Sequence, residues 1–104
     1  MGEKLKIVTP THDRVLENPI RLGILLALRR LHSATFMELM KVANITGGAL
    51  SSHARKLEDA GYISVSKTFV NRVTETRYAI TTGGRLALSK HLRSWKKTLE
   101  AARA

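Results

Sequence analysis

Between Ile20 and Leu31, apolar side chains fall on nearly every side of a 3.6-residue spiral: Ile20, Leu22, Ile24, Leu25, Leu26, Leu28 and Leu31. Asn18-Pro19 just before them is a helix start, because Asn caps free backbone N–H groups and Pro is tolerated in the first turn. A surface helix buries one stripe, so a helix apolar all round must be covered on two sides. In this chain the second cover is either the rest of the same domain or another copy of it. Thr35-Phe36-Met37-Glu38 then has the spacing of a capping box and opens a short helix ending near Ala43, with Phe36, Leu39, Met40 and Val42 as its apolar side. Asn44-Ile45-Thr46 makes a tight connection. Thr46 caps a third helix over Gly47 to Ala60, and Gly61 stands where a left-handed residue ends a helix.

After Gly61 the period shortens. Tyr62, Ile63, Val65, Phe69 and Val70 are β-prone, and Arg77-Tyr78-Ala79-Ile80 resume after a polar break at 71–76. This predicts a two-stranded hairpin with Asn71 and Arg72 near its tip. Thr81 or Thr82 caps a last long helix, Gly83 to about Ala102. Two helices joined by a short turn, then a hairpin and a helix, follow the order of a winged helix-turn-helix. The predicted fold is α+β, mainly α: three helices, a β-hairpin wing and a C-terminal long helix. It divides the chain into an N-terminal arm at 1–17, with a short strand at Leu5–Val8, a winged domain at 18–82 and a dimerisation helix at 83–104.

On a wheel of 100° per residue, Leu50, Ala54, Leu57 and Gly61 cluster on one face of the third helix. Gly48, Ser52 and Arg55 fall opposite, flanked by Ser51 and Lys56. That outer face is small near the helix start and cationic one turn later. Such a face fits the major groove of a duplex, where hydroxyls exchange hydrogen bonds with base edges and Arg grips guanine or phosphate. Gly47-Gly48 lets the backbone approach closely, and the free N–H groups of the helix start offer a phosphate site. His53 lies toward the core edge and reads as a packing residue. Glu58 and Asp59 would repel phosphate, so that end of the helix points away from a polyanion.

Charge strengthens this picture. Eighteen Lys and Arg against eight Asp and Glu give a formal net charge of +10, a field that draws in polyanions. Lys67, Asn71, Arg72 and Arg77 decorate the hairpin, which can lie along a phosphate ridge or put its tip in a minor groove. Glu75 pairs with a neighbouring Arg and holds the hairpin's shape. The chain lacks cysteine, which excludes disulfides and thiolate metal sites. No apolar run approaches the roughly 18 residues of a membrane span, and the first ten residues do not form a secretory signal. The expected setting is cytoplasmic, with no membrane partner.

In the last helix Leu88, Leu92, Trp95, Leu99 and Ala102 are spaced 4, 3, 4 and 3, an a/d seam of two heptads. Together with Ile20, Ile24 and Leu28 of the first helix, Leu88, Leu92, Trp95 and Leu99 form the predicted dimer interface. A dyad would present two recognition helices roughly 34 Å apart, one turn of duplex.

The stretch Ile45-Thr46-Gly47-Gly48-Ala49-Leu50-Ser51-Ser52-His53-Ala54-Arg55-Lys56-Leu57-Glu58-Asp59-Ala60-Gly61-Tyr62-Ile63 resembles the recognition helix of MarR- and ArsR-like winged-helix transcriptional regulators. Thr76-Arg77-Tyr78-Ala79-Ile80-Thr81-Thr82-Gly83-Gly84-Arg85 resembles their second wing strand running into the last helix. The resemblance implies a homodimer on double-stranded operator DNA, with Gly48, Ser51, Ser52 and Arg55 toward the major groove and Arg72 on the wing. It implies no cofactor and, without cysteine, no cysteine-based metal sensing. A small-molecule effector is left open, and nothing in the sequence indicates one. Enzymatic motifs are missing: there is no phosphate-cradling glycine loop and no nucleophile signature. The alternative is a winged-helix protein-interaction or assembly module without sequence-specific DNA binding; RNA is a further possible ligand.

Overall fold

A computed structural model describes residues 13–103. Four helices and three strands follow in the order α1 (Pro19–Leu31), β1 (Ser33–Thr35), α2 (Phe36–Ala43), α3 (Gly47–Asp59), β2 (Ile63–Val70), β3 (Val73–Ile80) and α4 (Thr82–Arg103). The suggested strand at Leu5–Val8 lies outside the described residues.

Local chemistry sets the helix ends. The Asn18 Oδ1 accepts from the N–H groups of Ile20 and Arg21 at 2.9 and 3.1 Å. At α2 the capping box is complete: the Glu38 N–H donates to the Thr35 hydroxyl and the Thr35 N–H to Glu38 Oε1. The Ala49 N–H donates to Thr46 Oγ1 and starts α3. Gly61, at φ +80°, stops it. There the Gly61 N–H reaches the Glu58 carbonyl and the Tyr62 N–H the Leu57 carbonyl, a doubly bonded stop that a left-handed glycine permits.

The core gathers Ile24, Leu25 and Leu28 of α1, Leu39 of α2, Leu50, Ala54 and Leu57 of α3, Ile63, Tyr78 and Ile80 of the sheet, and Leu88 of α4. Each fully buried Leu or Ile in such a core contributes about 1.5–3 kcal/mol of transfer free energy. Helix α1 is central: Ile20, Leu22, Leu26 and Ala27 pack on this core as half-buried residues. Its all-round apolarity is therefore met largely within the chain. This corrects the dimer assignment of three residues. Ile24, Leu28 and Leu88 are sealed in the chain's own interior, with relative exposures of 1%, 0% and 0%, and offer nothing to a second copy.

Two further differences from the sequence reading concern the N-terminal region and the sheet. Leu16 is fully buried in the core, and Asp13 Oδ1 accepts from the N–H groups of Val15 and Leu16, so residues 13–17 form an anchored turn rather than the end of an arm. The wing is also not a bare hairpin. β1 pairs antiparallel with β3 at Ser33–Ala79, Ala34–Tyr78 and Thr35–Arg77, giving the sheet order β1-β3-β2. This third strand roots the wing against the turn between α1 and α2.

Candidate nucleic-acid interface

Helix α3 sits on the body by one face only. Leu50, Ala54 and Leu57 are buried, while Gly48, Ser51, Ser52, Arg55 and Lys56 are all exposed. The outer face predicted from the wheel is thus solvent-accessible along its length. Gly47 has a different surrounding. A Cβ there would meet the Phe36 ring at 3.3 Å, whereas nothing lies within 4 Å of one on Gly48. Gly47 lets α3 pack closely on α2, and of the pair only Gly48 opens to solvent on its Cβ side.

The wing divides its residues by strand parity. Ile63, Val65, Lys67 and Phe69 share a sheet face with Ile80, Tyr78, Thr76 and Thr74, their cross-strand partners. This face looks toward α3. Between them lies a cleft of about 400 Å³ whose lining includes Ser51, Arg55, Glu58, Lys67 and Thr76. Lys67 and Arg55 are brought together there. Arg77 is on the other face. Its Nη1 donates to Ser33 Oγ at 3.2 Å and its Nη2 stands 3.9 Å from Glu75 Oε1. The pairing expected for Glu75 is present, with both residues on the sheet face away from Arg55.

At the tip, Val70 pairs with Val73 across the two-residue turn Asn71-Arg72. Both turn residues have positive φ, +49° and +66°, as a hairpin turn matching the strand twist requires. Asn tolerates this conformation; Arg at the second position does so only at a steric cost. Phe69, 72% exposed, lies on the α3-facing side of the wing beside this tip. The sequence reading took it as an ordinary strand residue. Its signal is that it keeps the phase of Ile63 and Val65, beyond Lys67, after the core has ended.

Arg21 ties α3 to the body. Its Nε donates to the Val15 carbonyl at 2.8 Å, and its Nη1 lies 3.3 Å from His53 Nδ1 on α3. His53 is accordingly a packing and hydrogen-bonding residue. Its pKa is held below the usual histidine value, first by burial and then by the positive charges of Arg21 and Lys56. Tyr62 fixes the opposite end of α3: its hydroxyl donates to Asp13 Oδ2 at 2.7 Å. Burial and that carboxylate push its pKa up to about 12.

Helix α4 leaves Trp95 and Leu99 45% and 58% exposed, in line with half-buried Leu92 and buried Leu88. Among the described residues no three His, Asp or Glu side chains gather as a metal site. Nor is any helix there long and apolar enough to cross a membrane.

Comparison with known proteins agrees with this geometry. A transcriptional regulator homologue from Pyrococcus horikoshii OT3 is 33% identical and superposes with a TM-score of 0.83, covering 88% of this chain and 91% of its own. An ArsR family transcriptional regulator is 28% identical with a TM-score of 0.60, covering 84% of each chain. E. coli MarR in its apo form, at 20% identity, shares the fold with a TM-score of 0.70; the match covers 83% of this chain and 65% of MarR. The profile of the winged helix DNA-binding domain matches residues 20–99. With helix α3 open on one face, a wing beside it and structural neighbours among the MarR and ArsR regulators, this chain belongs to the winged helix DNA-binding domain family.

Proposed function

We propose that the protein is a sequence-specific, double-stranded-DNA-binding transcriptional regulator that acts as a homodimer. One observation carries this: every polar or cationic residue on the outer face of α3 is exposed, while the residues opposite are buried. Ser51, Ser52 and Arg55 read base edges in the major groove, and Gly48 admits the backbone to close range. Lys56, Lys67 and Arg72 meet phosphates, as does the start of α3 with its free N–H groups. Asn71 holds the turn that presents Arg72. Arg77 shapes the wing rather than touching the duplex.

Trp95 and Leu99, with the open side of Leu92, supply the centre of the dimer contact. An exposed Trp on an apolar helical seam is the residue type that most often anchors an interface. Ile20, half-buried at the start of α1, lies at most at its margin.

In vitro selection of bound duplexes, followed by titration of the selected site, tests the reading. Arg55→Ala weakens binding to that site by about 1–3 kcal/mol and relaxes preference at one or two base pairs. If purified protein shows no salt-sensitive affinity for any duplex, the proposal is wrong. If Arg55→Ala binds the selected site as well as wild type and with the same preference, the base-reading role of α3 fails and a module without sequence-specific DNA binding is favoured instead.

A further inference from the structure

A second group of exposed cations lies away from the face just described. Lys90, Arg93, Lys96 and Lys97 are all exposed on α4 and line a common shallow groove there. At 100° per residue they fall within an arc of about 120°, on the side of α4 turned away from Leu88, Leu92, Trp95 and Leu99. One carboxylate, Glu100, borders the groove. None of the four cations has an ion-pair partner among the described residues. Four cations also mark the α3 and wing face: Arg55, Lys56, Lys67 and Arg72. The two sets are equal in charge.

They are also separated. Helix α4 begins where α3 ends: the Thr81 hydroxyl donates to the Gly61 carbonyl at 2.6 Å, and the Thr81 N–H donates to the Tyr62 carbonyl. That end of α3 carries Glu58 and Asp59, so it is the end remote from bound duplex. From there α4 runs on for 22 residues, about 33 Å. Lys90 to Lys97 lie roughly 12–22 Å along α4 from that corner, on a helix that contributes nothing to the cleft between α3 and the wing.

We infer that the basic band of α4 is a second, sequence-independent duplex-binding surface, so that the protein bridges two DNA segments. Lys90 to Lys97 span about 10 Å of helix, a length over which duplex DNA presents about six phosphate charges. Lysine-rich, with few groups suited to base reading, the band suits backbone contact and counterion release rather than recognition. If the apolar seam joins two copies, their bands both face outward. The inference rests on the regulator reading only for which face the first duplex occupies.

A capture assay tests it. Full-length protein is bound to an immobilised duplex, a fluorescent duplex of unrelated sequence is added, and the retained signal is measured across a salt series. Wild type retains the second duplex and releases it as salt rises. The quadruple variant Lys90→Gln, Arg93→Gln, Lys96→Gln, Lys97→Gln binds the immobilised duplex with little change but loses about tenfold or more of the capture. A companion variant, Lys90→Arg, Lys96→Arg, Lys97→Arg, preserves charge and retains capture; it and the unfolding curve guard against a misfolded quadruple variant. Arg55→Ala with Arg72→Ala impairs the first binding event while a salt-sensitive residue of affinity persists through α4. Equal capture by wild type and the quadruple variant overturns the inference and assigns any bridging to the two α3 helices of a dimer. One-duplex binding without capture overturns it and leaves the regulator reading standing. Association of the band with phosphatidylserine vesicles in place of a second duplex also overturns it.

Discussion

Arg72 sits where stability and its proposed binding role pull in opposite directions. It occupies the second position of a two-residue turn with φ +66°, a conformation that costs a non-glycine residue about 1–2 kcal/mol. Glycine adopts it freely, but the flexibility of glycine in the unfolded chain returns about 0.5–1 kcal/mol of that gain. Arg72→Gly is therefore expected to stabilise the hairpin by about 0.5–1 kcal/mol net. In a domain of this size, where the hairpin unfolds with the rest, that corresponds to a rise in Tm of about 2–8 °C. The same change removes the cation at the wing tip. Loss of one phosphate contact lowers the slope of log K against log salt by about 0.9 and weakens duplex binding at all sequences alike. Thermal unfolding and fluorescence anisotropy over a salt series measure the two effects on one protein. Arg72→Lys should retain most of the slope without the gain in stability. A variant that is both less stable and unchanged in affinity would refute the argument: the turn would not be strained, and its Arg would not touch phosphate.

Three other perturbations follow from the structure. A Cβ on Gly84 would overlap the Tyr62 carbonyl oxygen and press on Ile80; since a backbone atom cannot step aside, Gly84→Ala should cost about 3 kcal/mol in denaturant unfolding, near the upper end for overpacking. Trp95→Ala should shift sedimentation toward the monomer while leaving the monomer's fold intact, and an unchanged dimer would remove α4 from the interface. Because His53 has a lowered folded pKa, the unfolded chain takes up its proton first; stability is complete above the unfolded value near 6.5 and is lost as pH falls through that value toward the folded one. The drop in Tm between neutral and mildly acidic pH should shrink in His53→Gln, and an identical drop would show that other groups set it.

How much of this was legible in the chain depends on whether the cause is local. The ends of α1, α2 and α3 are set by side chains one to three residues away, at Asn18, Thr35, Glu38, Thr46 and Gly61, and each could be read directly. The inner and outer faces of α3 follow from one periodicity. Strand β1 has only three residues, Ser33 to Thr35, and exists because β3 supplies its partner; nothing in Ser-Ala-Thr itself marks it. The seam on α4 repeats evenly from Leu88 to Leu99, yet the first is buried in its own domain and the last is open. Period fixes a face, not the body that covers it, and the same ambiguity placed Ile24 and Leu28 in an intermolecular contact. Arg77 was a missed signal: it is one residue out of phase with Tyr78 and Ile80, whereas Lys67 is in phase with Ile63 and Val65. Strand parity alone separates the two cations.

Thr81 holds three segments at one point. Its hydroxyl bonds the carbonyl that ends α3 and accepts the N–H of Gly84 at 2.9 Å, while its own N–H bonds the first turn residue leading into β2. Helix α3, the wing and α4 therefore meet at one hydrogen-bonded corner. In a pair of copies joined along α4, the gap between the two reading helices would be a fixed gauge, written into this corner and the pitch of one helix. If the protein binds operators as a homodimer, as proposed, such a ruler would accept those whose halves already match its spacing, and would leave the DNA to do any bending.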